Sequence, residues 1–450
     1  MRARRWFCFF ICTGVLPGCF FLPRGFDEQH ARNRAAGERY NLPLPELPEE
    51  PDLESLLEYA WRANGEVRAA WNEWVAAVER VRDAAGYPNT NLHLGLEAMW
   101  AGKRPGWNDV TISAGNDPMT NLALPPKIAA AARVALEQAR AAEANFHARR
   151  LAVRERVAST FFQWIGLHER AEIAHRRAAW LEQLELSERA RFSSGAGSQE
   201  VWLAGQNARL EAENQARNLL VEAENLRREL NGLLGRAADA PLRPPREPVR
   251  GRSWPGNLEE FRAQLRAGNP ELAGLRAEVA ARERTLHAAQ LQFLPDVNPM
   301  GAITGDVSQV AGLAFVLPLT WRKLQAQVAS ARALVDASRA VLRQAEADRE
   351  AEVAAGLAVL ENVERQQRLW TESLLPNWQL RCQSVRRAYE AGTQSLGEWV
   401  QAELARLAAE EALVELQTLR EQQLVRLETL LGLPGEGGFS ATQEASHAAR

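Results

Sequence analysis

The sequence predicts a mainly α-helical protein with a small β part, built as two repeats of long antiparallel coiled-coil helices that each include a two-strand hairpin. Three observations predict this fold class: heptad spacing of apolar residues, duplication of short strings between the two halves, and one segment of alternating polarity in each half. The 450 residues are 46% hydrophobic and 25% charged, as in ordinary folded proteins. The net charge of −3 gives no indication of nucleic-acid binding.

The first residues have the layout of a bacterial export signal. Basic "MRARR" precedes an apolar run that ends in "LPGC" at residues 16–19, and this run is too short to predict a membrane-spanning helix. Because "LPGC" resembles a lipobox, we expect residues 1–18 to be a signal peptide and Cys19 to be a lipid anchor; the alternative is an ordinary cleaved signal with a chance cysteine. Residues 19–51 contain "LPLPELPEEP" and are expected to form an extended, lipidated tether. Cys382 then stands alone in the mature chain, which excludes a disulfide framework.

Heptad seams follow the rest of the chain. Apolar and small residues recur in alternating steps of three and four over 53–81, 128–146, 212–233, 258–293 and 324–345. So many small residues on the seams predict closely packed antiparallel helices. The stretch from Lys127 to Arg189 predicts a helix of about 60 residues, on the order of 90 Å long. Pro376 is expected to break or kink the corresponding helix of the second half.

The two halves are repeats of one unit. "RANGEV" at 62–67 matches "RAGNPEL" at 266–272, and "LNGLLG" at 230–235 matches "LETLLG" at 427–432. We therefore divide the mature chain into a first repeat at 52–240, a proline-rich crossover at 241–257 and a second repeat at 258–434. Residues 435–450 are expected to be a disordered C-terminal tail.

Each repeat contains one predicted strand pair, at 88–118 and at 295–318. Polarity alternates with a period of two in "NLHLGLEAMW" and "DVTISAG", and less cleanly in the second half. One apolar and one polar face suits a barrel wall between lipid and water, although an ordinary half-buried hairpin would look the same locally. Four strands cannot close a barrel, so membrane-embedded strands would require several copies, and three copies would supply about twelve strands.

Each repeat also contains one glycine turn between strong helices, at 192–198 and at 389–395. Gly195 has the same offset from Phe192 as Gly392 has from Tyr389. Since glycine accepts a positive φ, both segments predict a tight reversal between two helices.

This order of elements resembles the TolC family of outer-membrane efflux channels. The resemblance covers residues 52–434 and includes "NPEL" at 269–272, "LELSERARFSSGAGS" at 184–198 and "LETLLGLP" at 427–434. It implies a homotrimer with a twelve-strand barrel in the outer membrane and a helical tunnel in the periplasm. It also implies that the channel works with a periplasmic adaptor and an inner-membrane pump, exports small molecules or metal ions, and needs no cofactor. The lipobox fits the lipoprotein branch of the family, which is anchored to the outer membrane by lipid.

The resemblance implies that the two glycine turns are the tips where the adaptor docks. The residues carried over from the family are Leu186, Ser187, Ser194, Gly195, Gly197, Ser198, Ala391, Gly392, Thr393 and Ser395. Leu186 and Ser187 lie where many members carry Arg-Leu-Ser, and Glu185 stands in place of the arginine here. Glu398 lies where family members often have an acidic residue that forms a negative ring at the tunnel entrance. The alternatives are turns that only close hairpins and a solvated glutamate at a helix N-terminus.

Three other classes of protein fit the sequence less well. An enzyme is not supported, because we find no nucleotide-binding, serine-hydrolase or zinc-protease motif, and the seven histidines are scattered. A periplasmic adaptor would have one helical hairpin within a β-rich protein, whereas this chain predicts two hairpins and few strands. A coiled-coil scaffold without a pore is the third alternative.

Overall fold

The computed structural model describes residues 21–87, 92–99, 106–116, 122–245 and 258–433. The predicted signal peptide, Cys19 and the C-terminal tail lie outside these residues. The elements of the first half are α1 (Phe26–Tyr40), α2 (Leu53–Ala63), α3 (Gly65–Ala85), β1 (Leu92–Ala98), β2 (Val110–Asn116), α4 (Pro125–Ser193) and α5 (Gln199–Leu233). Those of the second half are α6 (Leu258–Gly268), α7 (Pro270–Leu291), β3 (Asp296–Thr304), β4 (Ser308–Val316), α8 (Trp321–Leu369), a π-helical turn (Trp370–Leu374), α9 (Leu375–Glu390) and α10 (Leu396–Leu430).

Four helices form a row beneath a four-stranded sheet. Helix α3 packs on α4, α4 on α7, and α7 on α8, and the antiparallel strands have the matching order β1-β2-β3-β4. Helices α5 and α10 return from the far end, where α5 packs on α4 and α10 packs on α9, α8 and α4. Helix α4 has 69 residues, a length on the order of 100 Å. The sheet and the two glycine turns therefore lie at opposite ends of an elongated molecule.

The register of the sheet places apolar side chains from both hairpins next to each other on one face. Leu94 pairs with Ala114, which pairs with Gly301, and Leu96 pairs with Ile112, which pairs with Ile303. Since side chains alternate along a strand, the opposite face holds the polar side chains of the first hairpin, and the hydroxyls of Thr111 and Thr304 lie 3.0 Å apart there. In the second hairpin this face also carries Met300 and Val310, so the two faces are less distinct there. Both β1 and β4 are edge strands within the described residues. Their unpaired edges are available for pairing with another chain.

Two buried asparagines, one in each half of the chain, make equivalent contacts within their own half. Asn64 precedes α3, and its Oδ1 accepts from the amides of Glu66 and Val67 while its Nδ2 donates to the carbonyl of Leu233, 2.8 Å away. Asn269 caps α7 through the amide of Leu272 and donates to the carbonyl of Leu430, 2.7 Å away. Each side chain thus joins the start of one helix to the end of another, far along the sequence. The heptad spacing of the sequence runs through residue 64 without a break, but the structure has two helices here: α2 ends at Ala63 and α3 begins at Gly65.

The expected extended tether is wrong for residues 26–40, which form helix α1. This helix lies on α3 and α4, with Gln29 fully buried and donating to Glu143 at 3.0 Å. Gly37 allows close approach to Trp71, because a Cβ there would lie only 2.8 Å from the indole ring. Composition misled the prediction, since the prolines that suggested a tether all lie outside α1 and, apart from Phe26, the buried residues of the helix are small or polar.

The π-helical turn accounts for a difference in length between the repeats. Phe192 lies 65 positions after Lys127, whereas Tyr389 lies 66 positions after Lys323. The second repeat therefore has one extra residue between its sheet and its tip, and a π turn is the usual way for a helix to accommodate a single extra residue. The turn ends just before Pro376, whose missing N–H was expected to interrupt the helix.

Helices in the described part of the chain do not reach the length and hydrophobicity that crossing a membrane requires.

Candidate docking and gating site at the helical tips

The two glycine turns have the same hydrogen-bonded geometry. Gly195 has a φ of 75° and Gly392 a φ of 77°, which confirms the positive φ predicted for the turns. In the first turn the amide of Gly195 donates to Phe192 O and the amide of Ala196 donates to Arg191 O. The second turn repeats both bonds one for one, so each is a Schellman motif that terminates its helix.

The next helix begins directly after each turn. Ser198 caps α5 by accepting from the amide of Val201, and Ser395 caps α10 by accepting from the amide of Glu398, both at 3.3 Å. Hydrogen bonds therefore end one helix and begin the next within about four residues. Such a short, fully hydrogen-bonded connection holds the tip in one conformation.

The structure brings the predicted tip residues together as two exposed patches. The exposed members are Ser194, Gly195, Ser198, Ala391, Gly392, Thr393 and Ser395, while Gly197 is half-buried. The Thr393 and Ser194 hydroxyls donate to main-chain carbonyls of their own turns. On α4, Leu186 is 52% exposed and Ser187 is half-buried. An exposed leucine beside a rigid polar turn is a surface that can be recognised.

Glu185, which replaces the arginine found in many TolC-family members, is engaged within the first hairpin. Its carboxylate forms an ion pair with Arg209 of α5 at 2.5 Å. The charge at this position is thus neutralised inside the hairpin rather than presented to a partner. Leu186, one residue along, faces solvent instead.

Each tip is braced by an aromatic pair that the sequence reasoning missed. Phe192 stacks on Trp202 with ring centroids 5.7 Å apart, and Tyr389 lies 5.3 Å from Trp399. Both pairs join the last turn of one helix to the second turn of the next. The signal was present in the sequence, since a tryptophan follows each tip glycine by seven positions.

Trp399 also joins the two hairpins to each other. Trp180 of α4 packs edge-on against it at 5.2 Å, and the guanidinium of Arg386 lies 5.9 Å above its ring. Among the described residues, the ring contact of Trp202 on the first hairpin is the stack with Phe192. The second tip is therefore the one fixed to its neighbour within the chain.

An ion-pair ladder continues this contact away from the tips. Arg177 and Arg170 of α4 both contact Glu411 of α10, at 3.1 and 3.2 Å, and Arg176 contacts Glu410 at 2.9 Å. The side chains of Glu411 and Arg177 are mostly buried, so these charges are screened less than surface pairs. The ladder aligns the two hairpins side by side.

Glu398 caps its own helix. Its carboxylate accepts from the Ser395 amide at 2.8 Å and from the Ser395 hydroxyl at 3.1 Å, which completes a capping box. The side chain is exposed, and its charge lies at the positive end of the α10 dipole. The alternative of a glutamate at a helix N-terminus therefore describes its local role. The equivalent place on α5 holds Val201, which leaves the two tips electrostatically different.

Groups of three or more acidic, histidine or cysteine side chains suited to hold a metal ion do not occur in the described residues. His168 packs edge-on against Trp164, and His175 is exposed on the same helix. His168 thus packs against an aromatic ring and His175 faces solvent, and neither belongs to a group of possible metal ligands among the described residues.

The chain is similar to a known class of protein, the outer membrane efflux proteins. A family model with that description matches residues 262–433, so the second half of the chain carries an outer membrane efflux protein domain. This confirms the family recognised from the sequence. The efflux channels of this family are not enzymes, in agreement with the absence of catalytic motifs from the sequence.

Particular relatives extend the likeness over nearly the whole chain. The chain is 23% identical over 435 residues to the pyoverdine export outer membrane protein OpmQ of Pseudomonas aeruginosa, covering 88% of this chain and 87% of that protein. A crystal structure of a membrane protein from Pseudomonas aeruginosa superposes with a TM-score of 0.70 at 20% identity, covering 89% of this chain and 99% of the other. The outer membrane protein VceC of Vibrio cholerae superposes with a TM-score of 0.69 at 20% identity, covering 86% and 97%. The fold is thus that of solved outer-membrane channels.

Proposed function

We propose that the protein is the exit duct of a tripartite efflux system, a lipid-anchored homotrimer whose strands form a barrel in the outer membrane and whose helices form a tunnel in the periplasm. The tunnel docks a periplasmic adaptor and an inner-membrane pump and exports small molecules or metal ions. Pyoverdine export by OpmQ is an example of small-molecule export by a relative. The cargo depends mainly on the pump that docks.

One observation carries this proposal: a sheet with exposed leucines on one face, and with both edges unpaired among the described residues, lies at the end of helices about 100 Å long. Leu94, Leu96 and Leu313 on the apolar face are 63–75% exposed. Apolar side chains this exposed need lipid or another protein to cover them. A barrel formed from the sheets of three copies would turn the face with these leucines toward lipid and would pair both edges.

The glycine turns at the tips are the proposed docking surface for the adaptor. They lie at the end of the molecule farthest from the sheet, and they present rigid, exposed main chain in Schellman turns. A hypothetical Cβ at Gly195 or Gly392 would meet nothing within 4 Å. Both glycines are therefore open to an approaching partner, and what they contribute is the shape of the turn.

The lipid anchor fits the position of the first described residue. The amide of Phe21 donates to the carbonyl of Ala85 at 2.9 Å, and its ring packs on Tyr87 at 5.9 Å. Ala85 ends α3 on the side of the sheet, so a lipid on Cys19 would enter the same membrane as the strands. Mass spectrometry of the mature N-terminus tests this: a start at an acylated Cys19 is expected, and an unmodified start at another residue contradicts it.

The experiment that tests the channel uses the full chain purified in detergent. We expect a trimer by mass and stepwise ion conductance after its addition to a planar lipid bilayer. A monomeric protein without conductance would contradict the proposal and favour the alternative, a periplasmic adaptor or coiled-coil scaffold without a pore. The two unpaired edges of the sheet argue against that alternative, because a scaffold made of helices would leave their backbone groups without hydrogen-bond partners.

A further inference from the structure

A cavity lies beside the long helix α4, away from both the sheet and the tips. It has a volume of about 420 Å³. Its walls are formed by Trp164 and His168 of α4, by Glu224 and Arg227 of α5, and by residues 239 and 241–244, which follow α5. Trp164 lies 28 positions before Phe192, so the cavity is on the order of 40 Å from the tips along the helix. It is therefore separate from the candidate docking and gating residues.

The segment that forms the third wall of the cavity is held in place by hydrogen bonds. Asn231 is fully buried, and its Nδ2 donates to the carbonyls of Ala238 and Ala240 at 3.0 and 2.9 Å. The amide of Arg243 donates to the carbonyl of Glu49 at 2.7 Å. A wall that is already fixed costs less to order on binding than one that must form around its ligand.

Comparison of the two repeats shows that the cavity lies where the second repeat has an apolar contact. Equivalent positions are 196 residues apart in the helices that follow the sheet and 197 apart in those that follow the tips, as seen in the pairs Lys127 and Lys323, and Ser198 and Ser395. Trp164 and Arg227 thus correspond to Leu360 and Leu424. These two leucines are 3% and 1% exposed and belong to one packed cluster. The first repeat therefore has an arginine at a position where the second repeat packs a leucine.

Arg227 has a mostly buried guanidinium with unused donors. Its side chain is 14% exposed. Its Nε and Nη2 donate to the two carboxylate oxygens of Glu224 at 2.8 and 2.5 Å, and its Nη1 donates to the carbonyl of Ala240. Since a guanidinium carries five N–H groups, two of them have no acceptor among the described residues. Buried donors are normally paired, and a ligand in the cavity that Arg227 lines can supply the acceptors.

The other charges of the wall favour a ligand with a single negative charge. Both acidic side chains already have arginine partners, since Glu224 is paired with Arg227 and Asp239 lies 3.7 Å from Arg228. Arg243 is 70% exposed, and its surface ion pair is 3.7 Å long, so this weak pair can be exchanged for a ligand. Two guanidinium groups, one fixed and one adaptable, suit the geometry of a carboxylate.

The rest of the wall is apolar or uncharged. Leu242 is buried between Pro241 and Pro244, and Trp164 adds an aromatic ring. Burial lowers the pKa of His168, so its imidazole is neutral at neutral pH and offers one donor and one acceptor. These walls fit a flat apolar body that carries its charge at one end.

We propose that this cavity is a binding site for an aromatic monocarboxylate. The carboxylate accepts from the two unused N–H groups of Arg227 and from Arg243. The ring lies against Trp164, Leu242 and Pro244. A bound ligand joins α4 and α5 to the segment that leads into the crossover between the repeats. The site goes beyond the proposed channel and does not depend on it, because all of its residues belong to one chain.

Fluorine NMR of the full-length protein in detergent tests the site, with 6-fluoro-2-naphthoate as the probe. A ligand of about 14 non-hydrogen atoms at ordinary efficiency binds with a Kd on the order of 1 mM, so the probe resonance should broaden saturably in this range. Arg243→Gln should weaken binding about threefold to tenfold, because it removes one charged donor. Arg227→Leu, which places the residue type of the second repeat in the first, should abolish saturable binding.

Arg228→Gln is the matched control. The Arg228 side chain is half exposed and contacts the same Glu224 at 3.5 Å, but it does not line the cavity. Its loss should leave the affinity for the probe at the wild-type value. Circular dichroism checks that Arg227→Leu keeps its helix content. If that variant fails to fold, Arg243→Gln decides the matter, because its side chain is exposed and its loss leaves the packing intact.

Four results would overturn the proposal. Equal broadening with wild type and all three variants would show that the probe partitions into the detergent. Equal affinity for the uncharged 6-fluoro-2-naphthamide would show that the carboxylate is not recognised. Displacement of the probe by an equal concentration of inorganic phosphate would make the cavity a general anion site. Failure to saturate up to about 10 mM probe would leave the cavity without this ligand class.

Discussion

The sharpest prediction concerns Glu398, because the structure gives its carboxylate a local role and the proposed channel gives it a second one. The capping box holds the carboxylate in one position at the start of α10. In a trimer, three carboxylates fixed in this way would form a ring of negative charge at the tunnel entrance, which would attract cations and impede anions. Glu398→Gln separates the two roles, since glutamine can also complete a capping box but carries no charge.

The magnitudes follow from the bonds that each variant keeps. Glu398→Ala loses both hydrogen bonds to Ser395 and the favourable charge at the helix N-terminus, which together contribute roughly 0.5–1.5 kcal/mol. Glu398→Gln keeps the bond from the Ser395 amide and loses only the charge–dipole interaction, about 0.3–1 kcal/mol at an exposed site. The alanine variant should therefore unfold at a lower temperature than the glutamine variant. Assembly should be unchanged in both, since the side chain is exposed.

The assay is the reversal potential of single channels in a planar bilayer under a salt gradient, together with block by multivalent cations added on the side of the tips. Both variants should reduce cation preference and block to the same extent, because both remove the charge. If Glu398→Gln had the reversal potential of wild type while Glu398→Ala had only a lower melting temperature, the residue would be a helix cap alone. The ring would then have to be formed by other residues.

Three further predictions test the repeats, the tips and the core. Asn269→Ala removes a cap and leaves the buried Leu430 carbonyl unpaired, so the free energy of unfolding should fall by about 2–4 kcal/mol; in denaturant titrations the exposed Asn72→Ala should change it little. Gly392→Leu forces a side chain into a positive φ, at about 1–2 kcal/mol, and should abolish co-purification of a periplasmic adaptor while the trimer still forms; undiminished co-purification would show that the adaptor binds elsewhere. Burial, with Arg150 and Arg32 nearby, lowers the pKa of His147 to about 3. The unfolded chain then binds the extra proton between about pH 6.5 and pH 3, so stability present above pH 6.5 should fall on acidification by at most about 1.4 kcal/mol per pH unit, and His147→Gln should flatten this slope in melts across that range.

The glycine turns and the long helices could be predicted from short stretches of sequence. Gly195 and Gly392 lie between strong helix formers and have the positive φ that their type permits. The long helix predicted from Lys127 to Arg189 spans Pro125–Ser193. Such features depend on residues close together in the chain, which is why spacing and composition predict them. Helix α1 was missed for the converse reason, since its stability comes from α3 and α4 rather than from its own apolar periodicity.

The sequence by itself predicted the long helices and the two glycine turns, because periodicity and glycine chemistry act over a few turns of chain. Only the tertiary structure decided which side chains from distant parts of the chain meet. Trp180 packs on Trp399, and Asn269 reaches Leu430, through contacts between residues more than 150 positions apart. Only the structure, too, distinguished equivalent positions of the repeats: Leu407 is buried and its twin Leu210 is exposed. The burial of a side chain depends on the elements that pack against it. Two positions with the same sequence pattern therefore differ in burial when only one of them has a neighbouring helix in its own chain.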